Sequence, residues 1–199
     1  MNQPRNYENV QASGDYTPVE LGGHYLIIKQ VSETKSKAGA DMIVVLFDFD
    51  QNDAQAGYFT ESFKNDVRPD KKWPNQATKY VMVNDSQTGE TGRSFKTFCT
   101  CVENSNAGFE TKWGDNWGTQ FKGKKIGGVF GEELDFYNGK ERTKRVLRWF
   151  VSVDKVADAR IPDVSETKAY KDNKSVNAAI ENGDFMNIPE GDLEELPFA

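Results

Sequence analysis

Cysteine and histidine are nearly missing from this chain, which has two cysteines, Cys99 and Cys101, and one histidine, His24, in 199 residues. A structural zinc site takes about four converging soft or imidazole ligands, so ligand supply argues against a metal-stabilised fold. Two buried or half-buried thiols are the simpler reading of FCTCVE. No apolar run approaches the roughly 20 residues that cross a bilayer. The N-terminus MNQPRNYENV also lacks the apolar core of a signal sequence. The expectation is a protein that avoids membranes and stays in the compartment of its synthesis.

Catalytic signatures are equally scarce. There is no GxxxxGK[ST] phosphate loop and no GxGxxG, and the glycines of KGKKIGGVFG follow another spacing. Asp48 and Asp50 of DFD share one face if the segment is a strand, the nearest approach to a divalent-metal nuclease site, yet DFDQND equally ends a strand in a polar turn. His24, placed after two glycines, reads as a surface or hydrogen-bonding residue rather than a general base. No enzymatic activity, cofactor or metal is expected.

An overall positive charge is lacking too. The 25 basic and 31 acidic residues give a net charge of -6. Residues 161–199 hold 3 lysines and 9 acids, which is also -6, so residues 1–160 carry 22 of each sign and balance. A neutral body can still meet a polyanion through a local basic face, whereas the acidic tail is repelled by it.

The pattern divides the chain into a flexible arm (residues 1–22), a body (23–160) and a flexible acidic tail (161–199). HYLIIKQVSET and MIVVLFDFD read as a β-hairpin, YFTESFKNDV as a third strand, and TKYVMVND as a short further strand. Phe95, Phe98, Cys99 and Val102 recur at the spacing of one helical face, with Ser94 as a candidate N-cap. KIGGVFGEELDFY and RVLRWFVSVDKV flank an Asn-Gly hairpin turn. Strands, then a helix, then two strands is the order of the OB-fold, so the expected architecture is mainly β: a five-stranded small barrel with a helix and loop insertions. Glycines 127, 128 and 131 suit a strand that coils sharply or passes close to a ligand. A weak helix candidate covers Ser175 to Glu181.

Binding of single-stranded nucleic acid needs cations for phosphates and aromatic faces for unpaired bases. Candidates for that role are Lys64, Arg68, Lys71, Lys72 and Trp73 in and before the RPDKKWP loop, and Lys112, Trp113 and Trp117 in TKWGDNWG. Lys122, Lys124 and Lys125 follow in FKGKK. The last hairpin adds Tyr137, Lys140, Arg142, Lys144, Arg145 and Arg148. Trp149 and Phe150 point to opposite sides of a regular strand, so at most one of them faces a ligand. Packed indoles and scattered lysines are the competing reading throughout, and they favour a protein-interaction module that does not touch DNA.

The chain closes on GDLEELPFA, an acidic segment with an apolar tip. Asp192, Glu194, Glu195, Leu196, Pro197 and Phe198 form a hook suited to a basic-rimmed pocket on another protein. LEELPF resembles the acidic Pro-Phe tip of bacterial-type single-stranded DNA-binding proteins, with glutamates where aspartates dominate and with Ala199 added. SNAGF, GKKIGGVFGEE, NGKERTKR and RWFVSVD resemble a phage-encoded branch of such proteins. The resemblance implies a non-enzymatic OB-fold protein that coats and protects unpaired DNA during phage replication, recombination or repair. It also implies recruitment of replication or recombination proteins through the tip, in the cytoplasm of an infected bacterial host. Edge strands of small barrels can pair, which leaves homo-oligomerisation open.

Overall fold

A computed structural model describes residues 1–5, 7–9 and 17–181. The chain divides into two compact units, one of residues 1–132 with 145–164 and one of residues 133–144 with 165–199.

Alternating burial from Gly22 to Ile28 marks the first part of strand β1 (Gly22–Lys35), which buries His24, Leu26 and Ile28 on one face. Its antiparallel neighbour β2 (Asp41–Phe49) runs from Lys35 opposite Asp41 to Leu26 opposite Phe49. Lys29 is the extra residue of a bulge, since Ile28 pairs with Phe47 and Gln30 with Leu46. YFTESFKN, expected as a strand, is instead helix α1 (Tyr58–Asn65). The four-residue spacing of Phe59 and Phe63 puts both rings on one helical face, and Phe59 is buried in the core.

Strand β3 (Thr78–Met82) pairs with β2, from Thr78 opposite Leu46 to Met82 opposite Met42. Helix α2 (Arg93–Ser105) buries Phe95, Phe98, Cys99 and Val102, the stripe that the sequence spacing predicts. Its N-cap is Gly92 rather than Ser94, and no side chain caps it. Strands β4 (Lys125–Tyr137) and β5 (Lys140–Val151) meet at Asn138 and Gly139, whose φ values of 50° and 75° are those of the tight hairpin turn that Asn-Gly favours. A Cβ on Gly128 would lie 2.5 Å from Leu26 Cδ1 and 2.6 Å from Leu147 Cδ1, so glycine here makes room for core side chains of the neighbouring strands.

The sheet order is β3-β2-β1-β4-β5, and the short β6 (Ser165–Glu166) adds parallel to β4. This corrects the expected architecture. The strands form an open path that ends at β3 and β5, and with three α-helices among the described residues the fold is mixed α/β rather than a closed five-stranded OB-fold barrel. Side chains, not a backbone ladder, link the two end strands. Gln76 Nε2 donates to the Arg145 carbonyl at 3.0 Å, and Lys79 Nζ donates to the carbonyls of Leu147 at 2.8 Å and Arg148 at 3.1 Å. The core of the first unit is dominated by Phe47, Phe49, Phe59, Phe98, Phe121 and Phe130 with Leu26, Ile28 and Ile126.

In the second unit, α3 (Lys168–Glu181) begins seven residues before the helix candidate at Ser175. Thr167 starts it: its hydroxyl accepts the Tyr170 N–H at 3.2 Å and donates to Asp135 Oδ1 at 3.0 Å. Among the described residues no helix is long and apolar enough to cross a membrane.

Candidate functional site

Alternation along Thr78–Met82 turns Val81 into the core and leaves Tyr80 and Met82 outside, Tyr80 at 61% exposure. On β5 the same rule buries Phe150 and exposes Trp149, at 45%. Tyr80, Met82 and Trp149 line one cleft of about 570 Å³, with Lys79, Arg93, Ser94 and Arg148 around them. A second depression of about 750 Å³ shares Arg148 and Trp149 and adds Lys155, Arg160 and the exposed Ile161. A third, of about 560 Å³, shares Arg93 and Thr97 with the first and Lys155 with the second, and adds Lys96. Each of the three thus shares lining residues with the other two, all within the first unit.

Their electrostatics favour an anion. Lys79, Arg93, Lys96, Arg148, Lys155 and Arg160 line them against three carboxylates, Asp85, Asp158 and Asp163. Lys79 and Arg148 are engaged with main-chain carbonyls. Among the described residues Arg93, Lys96, Lys155 and Arg160 enter no salt bridge. The first turn of α2 has no acidic residue and no side-chain cap, and Gly92, Arg93 and Ser94 carry that positive helix end to the wall of the first cleft.

The residues singled out in the sequence are placed otherwise, Arg148 excepted. Lys64 is exposed at the end of α1 and Lys72 is exposed in the following loop. Arg68 donates to both oxygens of Asp66, and those bonds hold the Asp66 carboxyl down to about 2. Lys71 lies over the Phe63 ring at 4.8 Å. Trp73 is half-buried against the core, its Nε1 donating to the Phe47 and Ala77 carbonyls at 3.2 Å. Trp117 is buried, and Trp113, itself 71% exposed, stacks on it at 5.7 Å. Lys112 and Lys122 are exposed, Lys124 covers Phe109 at 4.7 Å, and Lys125 is 3.8 Å from Asp50.

Arg145 donates to the Val19 carbonyl at 2.6 Å and sits 3.8 Å from Glu132. Tyr137, Lys140, Arg142 and Lys144 belong to the second unit, where Arg142 and Lys144 converge on Asp135 and Arg142 also covers the Tyr137 ring at 4.5 Å. Asp192, Glu194, Glu195, Leu196, Pro197 and Phe198 lie outside the described residues.

The nuclease alternative loses its carboxylates to structural duties. Asp48 accepts the N–H groups of Phe49, Phe59 and Thr60, and Asp50 accepts from Asn52. Among the described residues no three His, Cys, Asp or Glu side chains are grouped to hold a metal. Both cysteines are free and buried, and burial pushes the Cys99 thiol up to about 11.

No protein-family model and no curated protein matches the chain. The expected identity as a phage single-stranded DNA-binding protein, and with it the coating role in replication, recombination and repair, is therefore corrected. It rested on a closed barrel, which the open sheet does not form, and on a likeness that no match supports. Tyr80, Met82, Arg93, Lys96, Lys155 and Arg160 escaped the sequence reading. The alternation of TKYVM contained the signal for the first two, and the polar side of the Phe95–Val102 stripe contained it for Arg93 and Lys96.

Proposed function

We propose that this chain is a non-enzymatic protein-interaction module that captures an acidic peptide segment bearing apolar side chains. One observation carries the reading: exposed Tyr80, Met82 and Trp149 line clefts that share residues with one another and together carry four cations that no described carboxylate pairs. Apolar side chains of the peptide fill the clefts beside Trp149, and its carboxylates meet Arg93, Lys96, Lys155 and Arg160. Large aromatic side chains anchor such interfaces, while rim charges set the rate of encounter and the choice of partner. The aliphatic members of the clefts, Met82 and Ile161, and the interspersed Asp85, Asp158 and Asp163 favour a mixed peptide over a densely charged polyphosphate.

The test is fluorescence anisotropy of a labelled peptide of repeated Glu-Glu-Leu-Phe, with an acidic peptide lacking apolar residues and oligo-dT as comparisons. The Glu-Glu-Leu-Phe peptide should bind saturably, and Trp149→Ala should weaken it by ~10-fold or more, the size expected of an interface anchor. Equal binding of the purely acidic peptide, or capture of oligo-dT with no capture of either peptide, overturns the reading.

A further inference from the structure

The chain's one histidine is enclosed where both of its ring nitrogens meet acceptors. His24 is 3% exposed at the entry of β1. Its Nδ1 lies 3.1 Å from each carboxylate oxygen of Asp53, and its Nε2 lies 3.0 Å from the main-chain carbonyl of Glu20. A carbonyl oxygen and an ionised carboxylate only accept hydrogen bonds. A ring with a single hydrogen would turn a nitrogen lone pair onto one of these oxygens, an arrangement a buried site does not tolerate without cost. We propose that His24 is held as a doubly protonated imidazolium, a buried cation that latches the start of β1 to the turn after β2 in a proton-dependent way.

The surroundings agree with a cation there. The imidazole stacks on Phe49 of β2 at 4.5 Å and 22°, and the Phe130 ring of β4 stands at 81° to it at 5.3 Å. An aromatic face at that distance attracts a cation. Among the described residues Asp53 supplies the one carboxylate on the ring. The nearby Asp50 turns its own carboxylate to Asn52 and to Lys125 at 3.8 Å, and Glu20 contributes its main-chain oxygen. From β4 the residue opposite His24 is Gly128, which carries no charge. Burial raises the Asp53 carboxyl, but hydrogen bonds from His24 and the Gln55 N–H, the His24 charge and the Tyr25 N–H outweigh it, and Asp53 is held below the usual carboxylate range.

The pair closes a wider clasp. Asp53 also accepts the N–H groups of Tyr25 and Gln55, and the Gln55 side chain accepts the Glu20 N–H and donates to the Pro18 carbonyl. Loss of the second ring proton leaves one acceptor facing a lone pair and loosens residues 18–25 from residues 53–55.

Nitrogen-15 NMR of the full chain tests this without assignment ambiguity, because there is a single histidine. At neutral pH both ring nitrogens should show the shifts of protonated nitrogen, and on raising pH the loss of one proton should coincide with faster amide exchange at Glu20 and Tyr25. In Asp53→Asn the ring should carry one hydrogen at the same pH. A lone pair on either nitrogen of the unaltered protein at neutral pH overturns the proposal, as does deprotonation with amide exchange unchanged.

Discussion

Asp48 shows how a buried carboxylate is used up by the fold. Helix α1 follows Gly57, whose φ of 71° and missing side chain leave the first turn without its own cap. Asp48, reaching from β2, takes that duty and accepts the N–H of Phe59 at 3.0 Å, the N–H of Thr60 at 3.1 Å and the Thr60 hydroxyl. Lys29, the bulge residue, approaches it at 3.7 Å. Asp48→Ala should therefore lower unfolding stability by about 3 kcal/mol, the sum expected from a lost cap and orphaned buried donors. Asp48→Asn, which keeps an acceptor oxygen, should cost clearly less. Urea unfolding of both variants checks the order, and an Asp48→Ala protein as stable as the parent would refute the capping role. DFD carries no mark of this in sequence, because its partners at 59 and 60 come from a segment read as a strand.

Thr167 and the β4–β5 hairpin show the same economy in the second unit. Asp135 receives Lys144 at 2.5 Å, Arg142 at 2.6 Å and the Thr167 hydroxyl at 3.0 Å, so one carboxylate ties two strands to the start of α3. The Lys144 bond first, offset in part by burial, and then the Arg142 and Thr167 bonds hold its carboxyl at about 2, below the ordinary 3.8. A depressed carboxyl contributes stability above its unfolded value and loses that contribution as pH falls toward its folded one, so the clasp weakens between pH 3.8 and about 2. Amide exchange at Tyr170 and Lys171 should accelerate across that window, and Asp135→Asn should exchange faster at neutral pH and lack the transition. Hairpin elements of this kind were legible: Asn-Gly between two apolar runs set the turn, and Phe95 to Val102 set α2. Helix α1 was not, because Tyr58, Phe59 and Phe63 have strand-like composition and only their spacing favours a helix. The first part of α3 was hidden as well, since KAYKDNK offers no apolar stripe and its start depends on Thr167 meeting a distant Asp135.

Strand order is a property of long-range pairing, so TKYVM and RVLRWF could be read as strands without showing that they end the sheet. What brings them together is a seam of side chains, in which Gln76 and Lys79 donate to the carbonyls of Arg145, Leu147 and Arg148. The seam also brings Tyr80 and Trp149 into the wall of one cleft, which is why the sequence drew attention to Trp149 and not to Tyr80 as its partner. It blunts the edge that a strand like β5 would otherwise present to other chains. Lys79→Met keeps the length and apolar stem of the side chain and removes its ammonium donors. It should lower stability by about 1–2 kcal/mol, because two carbonyls lose a charged donor, and it should also weaken the Glu-Glu-Leu-Phe peptide by misaligning the two rings. Trp149→Ala removes an exposed anchor and should leave stability within ~0.5 kcal/mol while reducing peptide binding. Denaturant unfolding and anisotropy on the same two variants separate the effects. If Lys79→Met unfolds like the parent, the end strands are held together by something other than these bonds, and if it unfolds earlier yet binds peptide normally, the alignment of Tyr80 with Trp149 does not depend on the seam.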